Sequence, residues 1–217
     1  MSPTCWPIIL QNSPDMKITF TRHGQSLANT LHIISNRDLP HPLTELGRQQ
    51  ALDLSRQLNQ THFERIYASP VPRAVETGQI LAEALNLPLA IEAALREYDC
   101  GSLEGRGDEQ AWQIHQQFVQ DWFNGQRHNE CPPGGESFAE IQARMRRFLD
   151  QLVEHHQSQI LCVSHGGTLV FGLPELLENI DFSFARQNIP GHTDLIEAEY
   201  RSGRWLCLRW GRHIFEG

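Results

Sequence analysis

Short β-prone runs alternate with helix-patterned segments along most of this chain, and three of the runs lead into arginine or histidine. "KITFT" (17–21), "RIYAS" (65–69), "LAI" (89–91) and "QILCVS" (159–164) read as strands. Between them, residues 44–60 put Leu46, Ala51, Leu54 and Leu58 at helical spacing behind Thr44, a good N-cap. Residues 72–86 read as a second helix with Pro72 in its first turn. Gly166 and Gly167 open another, which Pro174 disturbs. Such alternation predicts a three-layer α/β/α sandwich around a mostly parallel sheet, because parallel strands need helical crossovers and burial on both faces. The end of the chain differs. "DLIEAEY" and "WLCLRW" flank Arg201-Ser202-Gly203-Arg204, which predicts an antiparallel edge hairpin.

Between Gly105 and Ser158 two helices and no strand are expected. Phe138, Ile141, Met145, Phe148 and Leu152 form one apolar stripe, the mark of a buried helix face. The polar and aromatic stretch "WQIHQQFVQDWF" reads as part of a helical lid at about 106–135. Residues 16–217 are expected to form a single domain, a length that suits one sizeable core. Residues 1–15 read as a poorly ordered N-terminal extension, with Met16 as an alternative start.

The net charge of −8 argues against nonspecific binding to nucleic acid or anionic lipid, which needs a positive surface. It does not argue against a small anionic substrate, which one positive pocket can hold. Lys17 is the only lysine, so Schiff-base chemistry and a P-loop lysine are excluded. Five cysteines, without a C-x-x-C pair, suggest free thiols in a reducing compartment. No apolar run approaches the roughly 18 residues of a membrane span, and the first residues lack a signal-peptide pattern. A cytoplasmic location is therefore expected.

In an open α/β sheet, ligands bind beyond the carboxyl ends of the strands. Here those ends carry Arg22-His23-Gly24, Arg73 and His165-Gly166-Gly167. If the strands are parallel, two arginines, two histidines and a helix start converge, which describes a phosphate site. Each feature is weak alone: the chain has 11 histidines, and a lone arginine at a helix start is usually a solvated charge. Their occurrence at successive strand ends carries the argument.

"TRHGQSLAN", "ASPVPRAVETG", "LREYDCGSLEG", "PPGGES" and "VSHGG" stand in the order found in the histidine phosphatase superfamily, which includes cofactor-dependent phosphoglycerate mutases. The resemblance runs from about residue 17 to 200 and implies a phosphoglycerate mutase-like fold. It also implies a phosphohistidine on His23, with Arg22, Arg73 and His165 holding the phosphoryl oxygens. Such a covalent intermediate replaces one hard step by two easier ones, and it requires a neutral imidazole. Asn29 matches a phosphate-supporting asparagine, and Glu97 matches the acid that protonates the leaving oxygen, with Asp99 as a rival. Glu104 reads as structural. Gly24 is expected to allow close approach of the phosphoryl group, and Gly166 to bind substrate at the helix start. Arg37 and His192 complete the candidate substrate-binding set.

The chain departs from the family pattern at Ala28, where tryptophan is frequent, and in "IPGHTD" after Asn188, where His192 either reaches the pocket, the reading preferred here, or sits idle in a longer loop. No H-x-x-x-H, H-E-x-x-H or D-x-D pattern occurs, so neither a metal nor another cofactor is expected. The short stretch between Gly105 and Glu136 resembles the broad phosphatase branch rather than the mutases, whose lid insertion is long. The expected activity is metal-independent hydrolysis of a small phosphorylated metabolite. Phosphoglycerate mutase is the alternative, and a non-catalytic phospho-binding module a distant third. A homodimer is left open.

Overall fold

Strand β4 (Gln159–Ser164) lies inside the sheet and is buried at every residue but its first. Its side chains divide strictly by parity. Ile160 and Cys162 enter one core, while Leu161 and Val163 enter another. Period-2 alternation with both faces apolar is what a central parallel strand requires. The computed structural model describes residues 16–37, 39–155 and 158–216. The expected extension at 1–15 lies outside the described residues.

Strands β1 (Met16–Arg22), β2 (Arg65–Ala68), β3 (Leu89–Ile91) and β4 are mutually parallel, in the order β3-β2-β4-β1. The sheet continues through β5 (Leu195–Arg201), β6 (Arg204–Trp210) and β7 (His213–Ile214), which run antiparallel to their neighbours. The hairpin between β5 and β6 turns at Ser202 and Gly203, with φ of 53° and 83°. A two-residue hairpin turn with both central residues left-handed matches the twist of its strands. The sequence reading missed β7, a two-residue strand that occupies the edge.

One face of the sheet carries α2 (Glu45–Leu58) and α3 (Pro72–Leu85), packed through Leu54, Leu58, Ala74 and Leu81. Thr44 caps α2 by accepting from the Gly47 N–H at 3.0 Å. Leu46, expected on the buried stripe, is 53% exposed. It falls on the outer side of the first turn, where the Gly47 backbone, not a side chain, makes the inward contact.

The other face carries α5 (Phe138–Glu154) and α6 (Gly166–Gly172). The stripe expected on α5 is buried throughout. Ser137 and Glu140 form a capping box at its start. Helix α4 (Glu109–Phe123) packs outside α6 through an aromatic cluster: Trp122 and Phe123 lie 5.3 and 5.1 Å from Phe171, centroid to centroid. The short helices α1 (Leu27–Leu31) and α7 (Phe182–Gln187) were not predicted.

Candidate active site

Register alone brings the strand ends together. Arg22 pairs with Ser164 and Ala68 with Val163, so the residues that follow β1, β2 and β4 emerge side by side. The His23 N–H donates to Ser164 O and the Ser69 N–H to Val163 O, both at 3.0 Å, which carries the alignment one residue past the strands. His23 and His165 then lie 5.0 Å apart, ring centroid to ring centroid, and His192 lies 5.7 Å from His23.

The tautomer of His23 follows from its partners. Nδ1 lies 2.7 Å from the Gly24 carbonyl, which can only accept, so Nδ1 carries the proton. Nε2 accepts from Arg73 Nε–H at 2.8 Å, so its lone pair faces a cation. The imidazole is 2% exposed. Burial, then Arg73, His165 and Arg22, hold its pKa well below 6.5, against a smaller opposing effect of the Gly24 carbonyl. His23 is a neutral imidazole with its lone-pair nitrogen turned to a guanidinium.

His165 is set in the same way. Ser69 Oγ accepts from the Val71 N–H at 3.2 Å and lies 2.7 Å from His165 Nε2. With the Ser69 hydroxyl as the donor of that bond, the imidazole proton sits on Nδ1, which is buried and has no hydrogen-bond partner. Burial, then Arg73 and Arg144, lower the His165 pKa well below 6.5. Arg22 donates from Nη1 to Pro190 O at 2.9 Å, while its buried Nε has no partner. Arg73 is 4% exposed, and burial brings its pKa down to about 10, so it remains a cation at neutral pH. Unpartnered buried donors are costly, and an anion that accepts from them removes the cost.

Glu97 is 8% exposed and sits against the start of α6. Oε1 accepts from the Thr168 N–H at 2.7 Å, the Thr168 hydroxyl at 2.9 Å and the Tyr98 N–H at 3.1 Å. Oε2 accepts from the Gly167 N–H at 3.1 Å. Gly167 is required here: a Cβ would lie 2.3 Å from Tyr98 Cε1 and 2.9 Å from Glu97 Oε1. A Cβ at Gly166 would press on the Arg22 guanidinium at 3.4 Å.

Three sequence expectations change. Gly24 was assigned to close approach of a phosphoryl group, but its nearest obstruction is the Gly47 carbonyl of α2, 2.4 Å from a Cβ placed there. Its N–H is already given to Thr77 Oγ1 at 3.2 Å. Arg37 is not joined to the histidine cluster. Its guanidinium holds Asp99 at 2.9 Å and the Gly134 carbonyl at 3.0 Å, on an exposed loop. That pairing also occupies Asp99, the rival acid. Asn29 accepts from Ser26 N–H and Oγ–H at 3.0 and 2.8 Å, so its visible work is to brace the turn after His23. His192 does reach the cluster, donating from Nδ1 to His23 O at 3.1 Å. Glu104 accepts from the Cys100, Asn36 and Arg37 N–H groups, a structural role. Ser69, Thr77, Thr168 and the Arg144–Glu136 pair were not singled out, although Glu136 lies in "PPGGES". A single hydroxyl residue, in a loop like Ser69 or within a helix like Thr77 and Thr168, carries no periodic signal of its own. Among the described residues, no three His, Cys, Asp or Glu side chains gather as metal ligands.

The sequence model of the histidine phosphatase superfamily (branch 1) matches residues 18–213. The chain belongs to that superfamily. A Hydrogenobacter thermophilus protein provisionally named phosphoserine phosphatase 2 is 32% identical over 153 residues, 70% of this chain and 74% of its own. A Yersinia enterocolitica protein provisionally named phosphoglycerate mutase GpmB is 30% identical over 196 residues, 90% of each chain. The crystal structure of an alpha-ribazole phosphatase from Shigella flexneri superposes with a TM-score of 0.76 at 26% identity, over 93% of this chain and all of that one. In this member of the superfamily, His23 and His165 follow adjacent parallel strands, with their ring centroids 5.0 Å apart.

Proposed function

We propose that the protein hydrolyses a small phosphomonoester through a phosphohistidine on His23, without a metal. The observation that carries this reading is the neutral His23 imidazole, proton on Nδ1 and lone pair on Nε2, set among Arg73, Arg22 and His165. An incoming phosphoryl group takes the place of the lone pair as acceptor for Arg73. Nε2 attacks phosphorus, a P–N bond forms, and the P–O bond to the alcohol breaks. Arg22, Arg73 and the Nδ1–H of His165 hold the equatorial oxygens, so charge developing there meets donors already in place. Glu97 gives its proton to the leaving oxygen. The same carboxylate then takes a proton from water as it attacks the phosphohistidine, which restores His23 and releases phosphate. Asn29 supports this by bracing the turn, and His192 by fixing the His23 carbonyl.

Helix α4 lies within the stretch expected to be a lid, and His115, Val119 and Phe123 from it line a 210 Å³ cavity beside Arg22 and Glu97. We assign it that role. Hydrolysis against mutase action turns on whether water reaches the phosphohistidine. The Yersinia relative favours the mutase as a second reading. Phosphate release and 2-phosphoglycerate formation from 3-phosphoglycerate, measured side by side with phosphate release from p-nitrophenyl phosphate, separate the two. Phosphate release is expected to dominate. Rapid 2-phosphoglycerate formation with negligible phosphate release reverses the assignment.

A further inference from the structure

The 210 Å³ cavity meets the cluster through Arg22, Glu97, Gly166 and Gly167. Beyond them its wall changes character. Val119 and Phe123 come from α4, Val170 and Phe171 from α6, and Ile189 from the loop after α7. The aromatic part is held stiffly, since Phe171 lies 5.6, 5.3 and 5.1 Å from Tyr98, Trp122 and Phe123. Arg186 lies over the Phe123 ring, 5.3 Å from its centre, and is not among the residues that line the cavity. The polar side chains in the wall are Tyr98 and His115, with Tyr98 Oη 2.6 Å from His115 Nε2, which leaves His115 Nδ1 as one buried polar atom without a partner. Both are neutral: burial raises the phenol well above its usual range and lowers the imidazole.

We infer that this cavity takes a compact, uncharged and largely apolar alcohol portion, of the size and class of a benzyl group, and discriminates against alcohols that carry a carboxylate or several hydroxyls. This specificity rests on the phosphatase reading above. Size is consistent: apolar cavities of about 150 Å³ accept a benzene ring, while drug-sized sites begin near 300 Å³. Charge decides the class. Among the described residues of the wall, Arg22 is the one cation, and it belongs to the phosphoryl group. A carboxylate on the alcohol therefore finds no counter-charge and sits near Glu97, and of a sugar's several hydroxyls His115 Nδ1 can serve one, which leaves the rest buried without side-chain partners. The relatives named for phosphoserine and phosphoglycerate suggest carboxylate-bearing substrates, so this wall sets the chain apart from the activities in those names.

The test compares alkyl monoesters of matched leaving group in the native protein: benzyl phosphate, O-phosphoserine, 3-phosphoglycerate and glucose 6-phosphate. kcat/KM for benzyl phosphate is expected to exceed the others by about 10- to 100-fold, the range that burial of one phenyl group supplies. Equal values, or a preference for a carboxylate, overturn the inference. Val119→Arg places a cation in the wall and is expected to shrink the ratio of benzyl phosphate to 3-phosphoglycerate at least tenfold; an unchanged ratio in a folded variant counts against it. Turnover of no monoester at all refutes the phosphatase reading instead. The cavity is then read by calorimetry with benzylphosphonate and 2-carboxyethylphosphonate, where the benzyl compound is expected to bind at least tenfold tighter, and equal or reversed affinities refute the inference.

Discussion

At His23 two partners set the imidazole proposed as the nucleophile: one carbonyl fixes the proton on Nδ1 and one guanidinium marks Nε2. Removing either cation at the phosphoryl position is expected to be expensive in rate. Arg22→Ala or Arg73→Ala should lower kcat by roughly 10²–10³, the effect of deleting one preorganised donor. Stopped-flow assay of p-nitrophenyl phosphate checks this, and a loss below threefold speaks against their role. Glu97 permits a sharper test. An alkyl phosphate must have its leaving oxygen protonated, so Glu97→Gln should slow benzyl phosphate by roughly 10²–10⁴, yet slow the first step on p-nitrophenyl phosphate much less. Equal losses point to a positional role. Glutamine also turns an NH₂ toward an N–H donor of α6 or Tyr98, at a cost of about 1–3 kcal/mol, so the variant should melt lower as well. At this scale the sequence exposed Arg22, His23, Arg73 and His165 because each comes after a readable strand, while the family resemblance alone picks out Glu97. Ser69, Thr77 and Thr168 stayed hidden, because a hydroxyl acquires its role from a partner distant in sequence. The Asp99 partner of Arg37 was hidden for the same reason, since it lies 62 residues away.

Between elements, the contact that matters most is backbone on backbone. A Cβ at Gly24 would meet Gly47 O at 2.4 Å, and one at Gly47 would meet Gln25 O at 2.0 Å. Neither neighbour is a side chain that can swing aside. Gly47→Ala is therefore expected to push α2 away from the turn after His23, with a cost of about 1–3 kcal/mol and a fall in kcat. Urea unfolding and steady-state kinetics on one preparation measure both, and full stability with full activity contradicts the packing argument. The elements that could be read from sequence were those whose pattern repeats: β4 with its two-sided alternation, α5 with its stripe, and the β5–β6 hairpin with Ser202-Gly203. Those that escaped, α1, α7 and β7, are 5, 6 and 2 residues long, too short for a period to show. The exposure of Leu46 and the true reason for Gly24 both depend on where α2 docks, which no local pattern encodes.

Across the whole molecule, burying several neutral histidines among arginines links stability to pH. The folded pKa values of His23 and His165 lie well below 6.5, with burial the first cause and Arg73 the next. The unfolded chain takes up these protons near 6.5. Stability is thus fully present above that pH and declines as pH falls below it toward the folded values, by up to about 1.4 kcal/mol per pH unit for each histidine. Urea unfolding at pH 7.5 and 5.5 should show this fall, and a stability that stays level or rises contradicts it. The same depressed pKa keeps His23 nucleophilic in mild acid, so the first chemical step should persist below pH 6.5. Chelation is expected to leave the rate unchanged, since Arg22 and Arg73 supply the positive charge. An EDTA-treated enzyme that recovers only with added divalent ion opposes that view.

The central claim is a P–N bond on His23. Rapid quenching of the enzyme with a ³²P-labelled monoester, followed by peptide mapping, tests it directly. The expected result is acid-labile, base-stable label on the peptide containing His23, formed and lost at rates compatible with turnover, and absent in His23→Ala together with all activity. Near-normal kcat in His23→Ala, or turnover of the native enzyme without any labelled histidine, contradicts the account.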